Sequence, residues 1–289
     1  MDTILKRRLI EAQKSEITEC HVYRALAQRC KDPHNKDVLG RIADDEKRHY
    51  DYWGTHTGEK PGPRPWQRLK FILIARFLGL TFAVKLMEKG EEQAQINYEE
   101  VAQTIPEALK IMQEEDEHEH QLLNILDEEV LQYVGSVVLG LSDALVELTG
   151  ALAGLTLALQ NSRLIAMIGL VTGIAASMSM AASEYLSTKS EEEDKKSPLK
   201  ASLYTGVAYV VTVTILIAPF LLLGSPLVAL GISLFSALVI IYLFTFYISV
   251  AKDQDFKHRF FEMAGLSLGV AAISFFIGYL LRVVFGVEA

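Results

Sequence analysis

Four glutamates and two histidines recur at helical spacing in the first 132 residues, and together they supply the donor set of a metal site. Glu16 falls in phase with Leu5, Leu9, Ala12, Tyr23 and Leu26. Glu46 and His49 fall in phase with Leu39, Ile42 and Trp53; Glu91 with Val84, Met87, Ala94, Tyr98 and Val101; Glu115 and His118 with Ala108, Ile111, Leu122 and Ile125. Carboxylates in an apolar stripe point into a core, where each needs a partner. Glu-x-x-His places an oxygen and a nitrogen on one helix face. One Glu from each of two helices and Glu-x-x-His from each of two others can share a pair of metal ions through bridging carboxylates. Iron is the expected metal, and carboxylate–imidazole donors also suit manganese and zinc. Glu19 and Glu88 neighbour these rows, as extra ligands or as rim charges. On the last helix a competing register pairs Glu117 with His120. Its phase-mates Gln113 and Asn124 are polar, which favours Glu115 with His118.

A second constellation lies where charge is least expected. Val134 to Leu159 is long and apolar enough to cross a bilayer, yet it carries Asp143 and Glu147 at i,i+4, on one face. Intramembrane carboxylates are costly and usually mark an ion path. In the following apolar stretch Met180 and Glu184, also four apart, offer a soft thioether and a hard carboxylate, a mixture that suits a divalent transition metal in transit. These four are the candidate transport-path residues, and no catalytic residue is assigned.

The elements that must position these residues are all helical. The expected architecture is all-α: a four-helix bundle over 1–132, then a transmembrane domain over 133–289. The bundle helices are expected at about 3–30, 34–56, 84–104 and 106–132, with Pro106 in the first turn of the fourth. GEKPGPRP (58–65) reads as a linker. Residues 66–86 are apolar but carry Arg68, Lys70, Arg76 and Lys85, too many cations for a span. They read either as an amphipathic helix on the membrane surface, over about 66–83, or as a buried crossover helix. Five spans are expected, at about 134–160, 164–187, 202–223, 227–250 and 263–286. No Pro or Gly interrupts the chain between the fourth bundle helix and the first span, so one continuous helix is expected there. Gly150/Gly154, Gly169/Gly173 and Gly265/Gly269 allow close helix contact.

Composition bounds the function. The net charge of −8, from 28 Lys and Arg against 36 Asp and Glu, resides mainly in the first domain. It argues against nucleic acid as a partner and is compatible with cation handling. Cys20 and Cys30 form no CxxC pair and read as free thiols of a reducing compartment. The first residues lack the apolar core of a signal peptide, and no cleaved signal is expected. Lysines and arginines gather in the links 188–201 and 251–262. The positive-inside rule then places these links and the N-terminus in the cytoplasm and the C-terminus outside a multi-pass cell membrane.

Two resemblances follow. Glu16 with Ile17-Thr-Glu-Cys-His-Val-Tyr23, then Glu46-Lys-Arg-His49, Glu91 with Tyr98, and Glu115-Asp-Glu-His118 resemble the rubrerythrin branch of ferritin-like proteins over about residues 5–130. The four-cysteine iron site of full rubrerythrins is absent. Val138-Leu-Gly-Leu-Ser-Asp143 and Ser179-Met180-Ala-Ala-Ser-Glu184-Tyr185 resemble the vacuolar iron transporter family, over about 134–289. That resemblance implies a homodimer exchanging Fe2+ or Mn2+ for protons, with Asp143 and Met180 in the path. The long cytoplasmic insert of plant members is replaced here by STKSEEEDKKSPLK. The fused pair is similar to prokaryotic membrane-bound ferritin iron exporters. The expectation is proton-coupled export of Fe2+, also of Mn2+, with a cytoplasmic bundle that captures, stores or senses metal, or acts as a ferroxidase. The competing expectation is a membrane-anchored di-iron oxidase or peroxidase whose spans are only an anchor.

Overall fold

The computed structural model describes residues 3–30, 32–92, 101–124, 133–190, 196–252 and 254–285. Ten helices occur among them: α1 Thr3–Ala27, α2 Pro33–Thr57, α3 Pro65–Leu78, α4 Leu80–Glu92, α5 Ala108–Asn124, α6 Val134–Leu159, α7 Ser162–Ser190, α8 Pro198–Leu222, α9 Pro226–Ala251 and α10 Phe256–Phe285. The all-helical class is as the sequence indicates. The chain divides into two compact units, Met1–Glu128 and Glu129–Ala289.

In the first unit two apolar layers bracket a polar level. One layer joins Val22, Tyr23 and Leu26 of α1, Val38, Leu39 and Ile42 of α2, Val84 and Met87 of α4, and Leu122 of α5. The other joins Leu9, Trp53, Val101, Ile105, Ala108 and Ile111. Each large apolar side chain so buried contributes about 1.5–3 kcal/mol, which can offset the cost of carboxylates placed between the layers. Local signals set the boundaries. Asp32 caps α2 by accepting a bond from the Asn35 amide at 2.8 Å, with Pro33 in the first turn. Gly58, at φ 70°, ends α2 in the left-handed conformation. Buried Gln13 donates to the carbonyls of Tyr50 and Glu59, both at 3.2 Å, and accepts from Thr57 Oγ1 at 2.7 Å, so the linker is fastened to α1.

The stretch 66–86, read from sequence as one helix, is two. Gly79 breaks it at φ 97°, ψ 156°, a conformation that side-chain-bearing residues avoid. The helix expected from Val84 therefore starts at Leu80. Pro106 sits in a turn before α5 rather than inside its first turn, where Ala108 N–H bonds Ile105 O at 3.0 Å. The expected continuous helix into the first span concerns residues 125–132, which lie outside the described ones.

The second unit has five helices long and apolar enough to cross a membrane, of 26, 29, 25, 26 and 30 residues. At about 1.5 Å per residue each exceeds the hydrocarbon thickness of about 30 Å. α6 packs against all four of the others. The core draws on every helix: Leu145, Leu148 and Leu152 of α6, Ile165 of α7, Tyr209, Leu216 and Phe220 of α8, Ile241 of α9 and Ala271 of α10. Many outward positions of these helices carry large apolar side chains, as with Val171, Met178, Leu203, Phe235 and Phe276, which suits contact with lipid. Hydroxyls tie helices together, with Thr205 donating to Ser136 O at 2.9 Å and Ser233 to Leu216 O at 2.9 Å.

Glycine permits the tightest crossings. A methyl group on Gly278 of α10 would overlap the Gly154 carbonyl oxygen of α6, and one on Gly140 would overlap Thr205 O of α8. Gly169 and Gly173 meet Ile217 and Val213 of α8, whereas Gly265 and Gly269 have no atom within 4 Å of an added Cβ. Gly278→Ala should therefore lower stability by at least about 1–3 kcal/mol. Gly265→Ala, on the same helix, should be neutral. Thermal unfolding of the two variants in detergent tests this, and equal midpoints would refute the contact.

Candidate functional site

In the first unit the carboxylates sit midway along their helices, between the two apolar layers. Glu16 of α1, Glu46 and His49 of α2 and Glu115 of α5 each bring a ligand atom to within 4.8 Å of the others. Glu16, Glu46 and His49 are all at most 4% exposed. His118, also buried, joins the rim: its Nδ1 lies 3.3 Å from Glu46 Oε1 and 3.6 Å from Glu115 Oε2. The two imidazoles stack with centroids 5.9 Å apart.

Both histidines are oriented the same way. His49 Nε2 lies 2.8 Å from Glu114 Oε2, which also takes Arg48 Nη2 at 2.9 Å. His118 Nε2 lies 3.2 Å from Asp45 Oδ2. Each outer nitrogen is thus held by a carboxylate, and each Nδ1 faces the cluster. This is the carboxylate–histidine arrangement that fixes a metal-binding tautomer. His49 Nδ1 stands 2.8 Å from Glu115 Oε1 and 3.5 Å from Glu16 Oε2. Yet Nδ1 of both histidines and Oε2 of Glu16 and Glu46 are buried without a well-directed hydrogen bond. These unsatisfied buried atoms, three of them on residues of the converging group, are what a cation would satisfy. The cluster could therefore bind a metal ion; the other Glu16 oxygen is occupied by Trp53 Nε1–H at 3.2 Å.

Electrostatics agree with the crowding. Burial pushes Glu46 well above the carboxylate range, and the charges of Glu115 and Glu16 push it further. Burial lowers His49, but the Glu115 and Glu16 carboxylates beside it outweigh that and raise it to about 10. His118 also rises, burial being outweighed by Glu115. Glu115 is desolvated too, but His118 and His49 hold it below its ordinary value. At neutral pH without metal His49 holds its proton and Glu115 does not, while Glu46 and His118 are shifted towards their protonated forms. A metal must displace the protons, so its affinity rises with pH, by about tenfold per unit for each proton released. Calorimetry of Mn2+ binding between pH 6 and 8, in buffers of different ionisation enthalpy, should show the release. A pH-independent affinity would contradict the charge assignment.

The remaining expected ligands stand as follows. Glu19 is half-buried, and its charge contributes to the rise of Glu46, but it is not among the converging four. Glu88 and Glu91 lie on α4, and their side chains fall outside the described ones. Glu117 and His120 of the competing register are exposed. Asp45 and Glu114 were missed by sequence reasoning. Each directly precedes a ligand in the chain, and an adjacent residue points about 100° away, out of the apolar phase.

In the second unit Asp143 is half-buried on α6. Glu147, one turn on, lies at the surface of the unit and accepts a 2.8 Å hydrogen bond from Tyr209 of α8, itself 1% exposed. Met180 of α7 is partly buried against the core, whereas Met178 is 70% exposed. Glu184 accepts from buried Ser136 of α6 at 2.5 Å. Asp143, Glu147 and Glu184 do not converge as a three-carboxylate group among the described residues. Tyr209 and Ser136 were not foreseen, because a lone hydroxyl in an apolar run carries no spacing signal.

Residues 134–197 match the VIT family. The match takes in the whole of α6 and α7 and the link after them, hence Asp143, Glu147, Met180 and Glu184. No match was found among curated proteins or solved structures. The VIT-family stretch and the intramembrane carboxylates therefore coincide in the helix that packs against all the other spans.

Proposed function

We propose that this chain is a proton-coupled exporter of Fe2+, with Mn2+ as a second substrate. The observation that carries the reading is the coincidence of the VIT-family match with two carboxylates inside a membrane-length helix. The five apolar helices make it a multi-pass membrane protein. The lysines and arginines of the links 188–201 and 251–262 favour a cytoplasmic N-terminus and a C-terminus on the far side.

Asp143 and Glu147 offer the cargo anionic oxygens within the span, and the same oxygens can carry protons back once the cation has left. Tyr209 O–H holds one Glu147 oxygen and leaves the other for the cation. The Met180 thioether disfavours Mg2+ and Ca2+ relative to softer transition metals. Glu147 lies at the surface of the single chain, in a segment surrounded by acyl chains, where an ionisable group is costly. A second copy covering α6 would remove that cost, which supports a homodimer. In the first unit Glu16, Glu46, His49, Glu115 and His118 would hold metal taken from the cytoplasm, with Glu91 a further candidate from α4. The cluster supplies capture or sensing of the same ion that the spans carry.

The test is purified protein in liposomes loaded with a pH-sensitive dye. External Fe2+ or Mn2+ should drive stoichiometric proton movement, and Mg2+ should not. Metal uptake without proton movement would remove the coupling; no uptake of either would remove the transport reading.

A further inference from the structure

α3 carries a face that, among the described residues, nothing in the first unit covers. Trp66, Leu69, Leu73 and Phe77 stand three, four and four residues apart, so they form one stripe along the helix. They are 81%, 48%, 44% and 76% exposed. The opposite side is the attached one, where Phe71 and Ala75 pack against the layer around Val22, Leu39 and Val84. The helix start is fixed as well. The Arg64 amide donates to Thr18 Oγ1 at 2.9 Å, and its guanidinium pairs with Glu11 at 2.7 Å. With one side packed and the start tied to α1, the helix cannot roll its stripe inward.

Charge says what the stripe meets. At 100° per residue, Lys70 lies on one flank of the stripe and Arg76 on the other. From Lys60 to Met87 the chain has six cations and no acid, although its net charge is −8. Two copies pressed stripe to stripe would bring Lys70 and Arg76 against their own counterparts, a like-charge juxtaposition that opposes self-association. A narrow apolar stripe flanked by cations, with a tryptophan at its start, instead fits a helix lying in the headgroup layer. The chain carries its own membrane-length helices, so such a surface is available at high effective concentration and a weak affinity suffices.

We propose that α3 is an interfacial helix that docks the first unit on an anionic lipid surface, with Trp66, Leu69, Leu73 and Phe77 towards the acyl chains and Lys70 and Arg76 among the phosphates. This is independent of which ion the spans carry.

Trp66 reports on its own position. The chain has two tryptophans, and Trp53 is fully buried, so the difference between wild type and Trp66→Phe isolates the emission of Trp66. The full chain is reconstituted in phosphatidylglycerol/phosphatidylcholine vesicles. We expect the Trp66 emission to be blue-shifted, quenched by brominated phospholipid and protected from aqueous acrylamide. Lys70→Gln and Arg76→Gln should each lower the docked-to-free ratio about fivefold. Free access of acrylamide with no effect of brominated lipid would overturn the proposal. Protection from both quenchers would also overturn it, by showing a protein partner over the stripe.

Discussion

Asp143→Asn is expected to abolish metal-driven proton flux while leaving the protein at least as stable as wild type. Asparagine keeps the volume of aspartate and one carbonyl oxygen. It cannot ionise, so it neither neutralises a divalent cation nor carries a proton on the return. Loss of an outer partner alone commonly costs a metal site 10–100-fold, and loss of an anionic ligand should cost at least about 100-fold. The stability change has the opposite sign. Asp143 is only half-buried within the unit and has no described cationic partner, and a charged side chain at the centre of a span costs about 2.5–3.5 kcal/mol on the mild scale. The amide relieves much of that cost. Flux in liposomes and thermal unfolding in detergent are therefore expected to move apart: no flux, and an unchanged or raised midpoint. A variant that lost both together would point to a structural role for Asp143. Unchanged flux would remove it from the path.

The sequence carried some of this and hid the rest, for reasons that differ by residue. The all-helical class was legible, because long stretches with a 3.6-residue period or unbroken apolar character have few alternatives. The facing of Glu16, Glu46, His49 and Glu115 was legible too. A carboxylate in phase with leucines and a tryptophan must enter the core once the helix packs. The helix break at Gly79 was not, since the apolar run continues on both sides of it and only the backbone conformation marks it. Asp45 and Glu114 lie outside the apolar phase, and their role depends on which histidine the neighbouring helix brings. The same holds for Tyr209, whose hydroxyl acquires meaning only when α8 is placed against α6. What helix periodicity fixes is readable in advance; what a neighbouring helix supplies is not.

Glu46→Gln should abolish metal binding by the first unit without weakening its fold. Glu46 is 2% exposed, and its carboxylate crowds those of Glu115 and Glu16. Without metal, burial and the neighbouring carboxylates push it towards the neutral acid, with one oxygen unsatisfied, so an amide of the same shape loses little and relieves the like-charge repulsion. With metal the balance reverses, because a donor is gone from the centre of the cluster. A ligand that binds only the folded state stabilises it by about 2.7 kcal/mol at a hundredfold excess over Kd. Wild type should therefore show a Mn2+-dependent rise in unfolding temperature that Glu46→Gln lacks, while their metal-free midpoints agree. The same variant separates the two functional readings. If the spans transport, Glu46→Gln retains flux at saturating metal and changes only the concentration or regulation at which it starts, and Asp143→Asn abolishes flux. If instead the chain is an oxidase anchored by its spans, Glu46→Gln removes all activity and Asp143→Asn removes none. Glu16 Oε2, Glu46 Oε2 and the two Nδ1 atoms are equally unsatisfied under both readings. The carboxylates of α6 are not: an anchor has no use for Asp143 and Glu147, and that asymmetry is why the flux measurement on the Asp143 and Glu46 variants together decides the function.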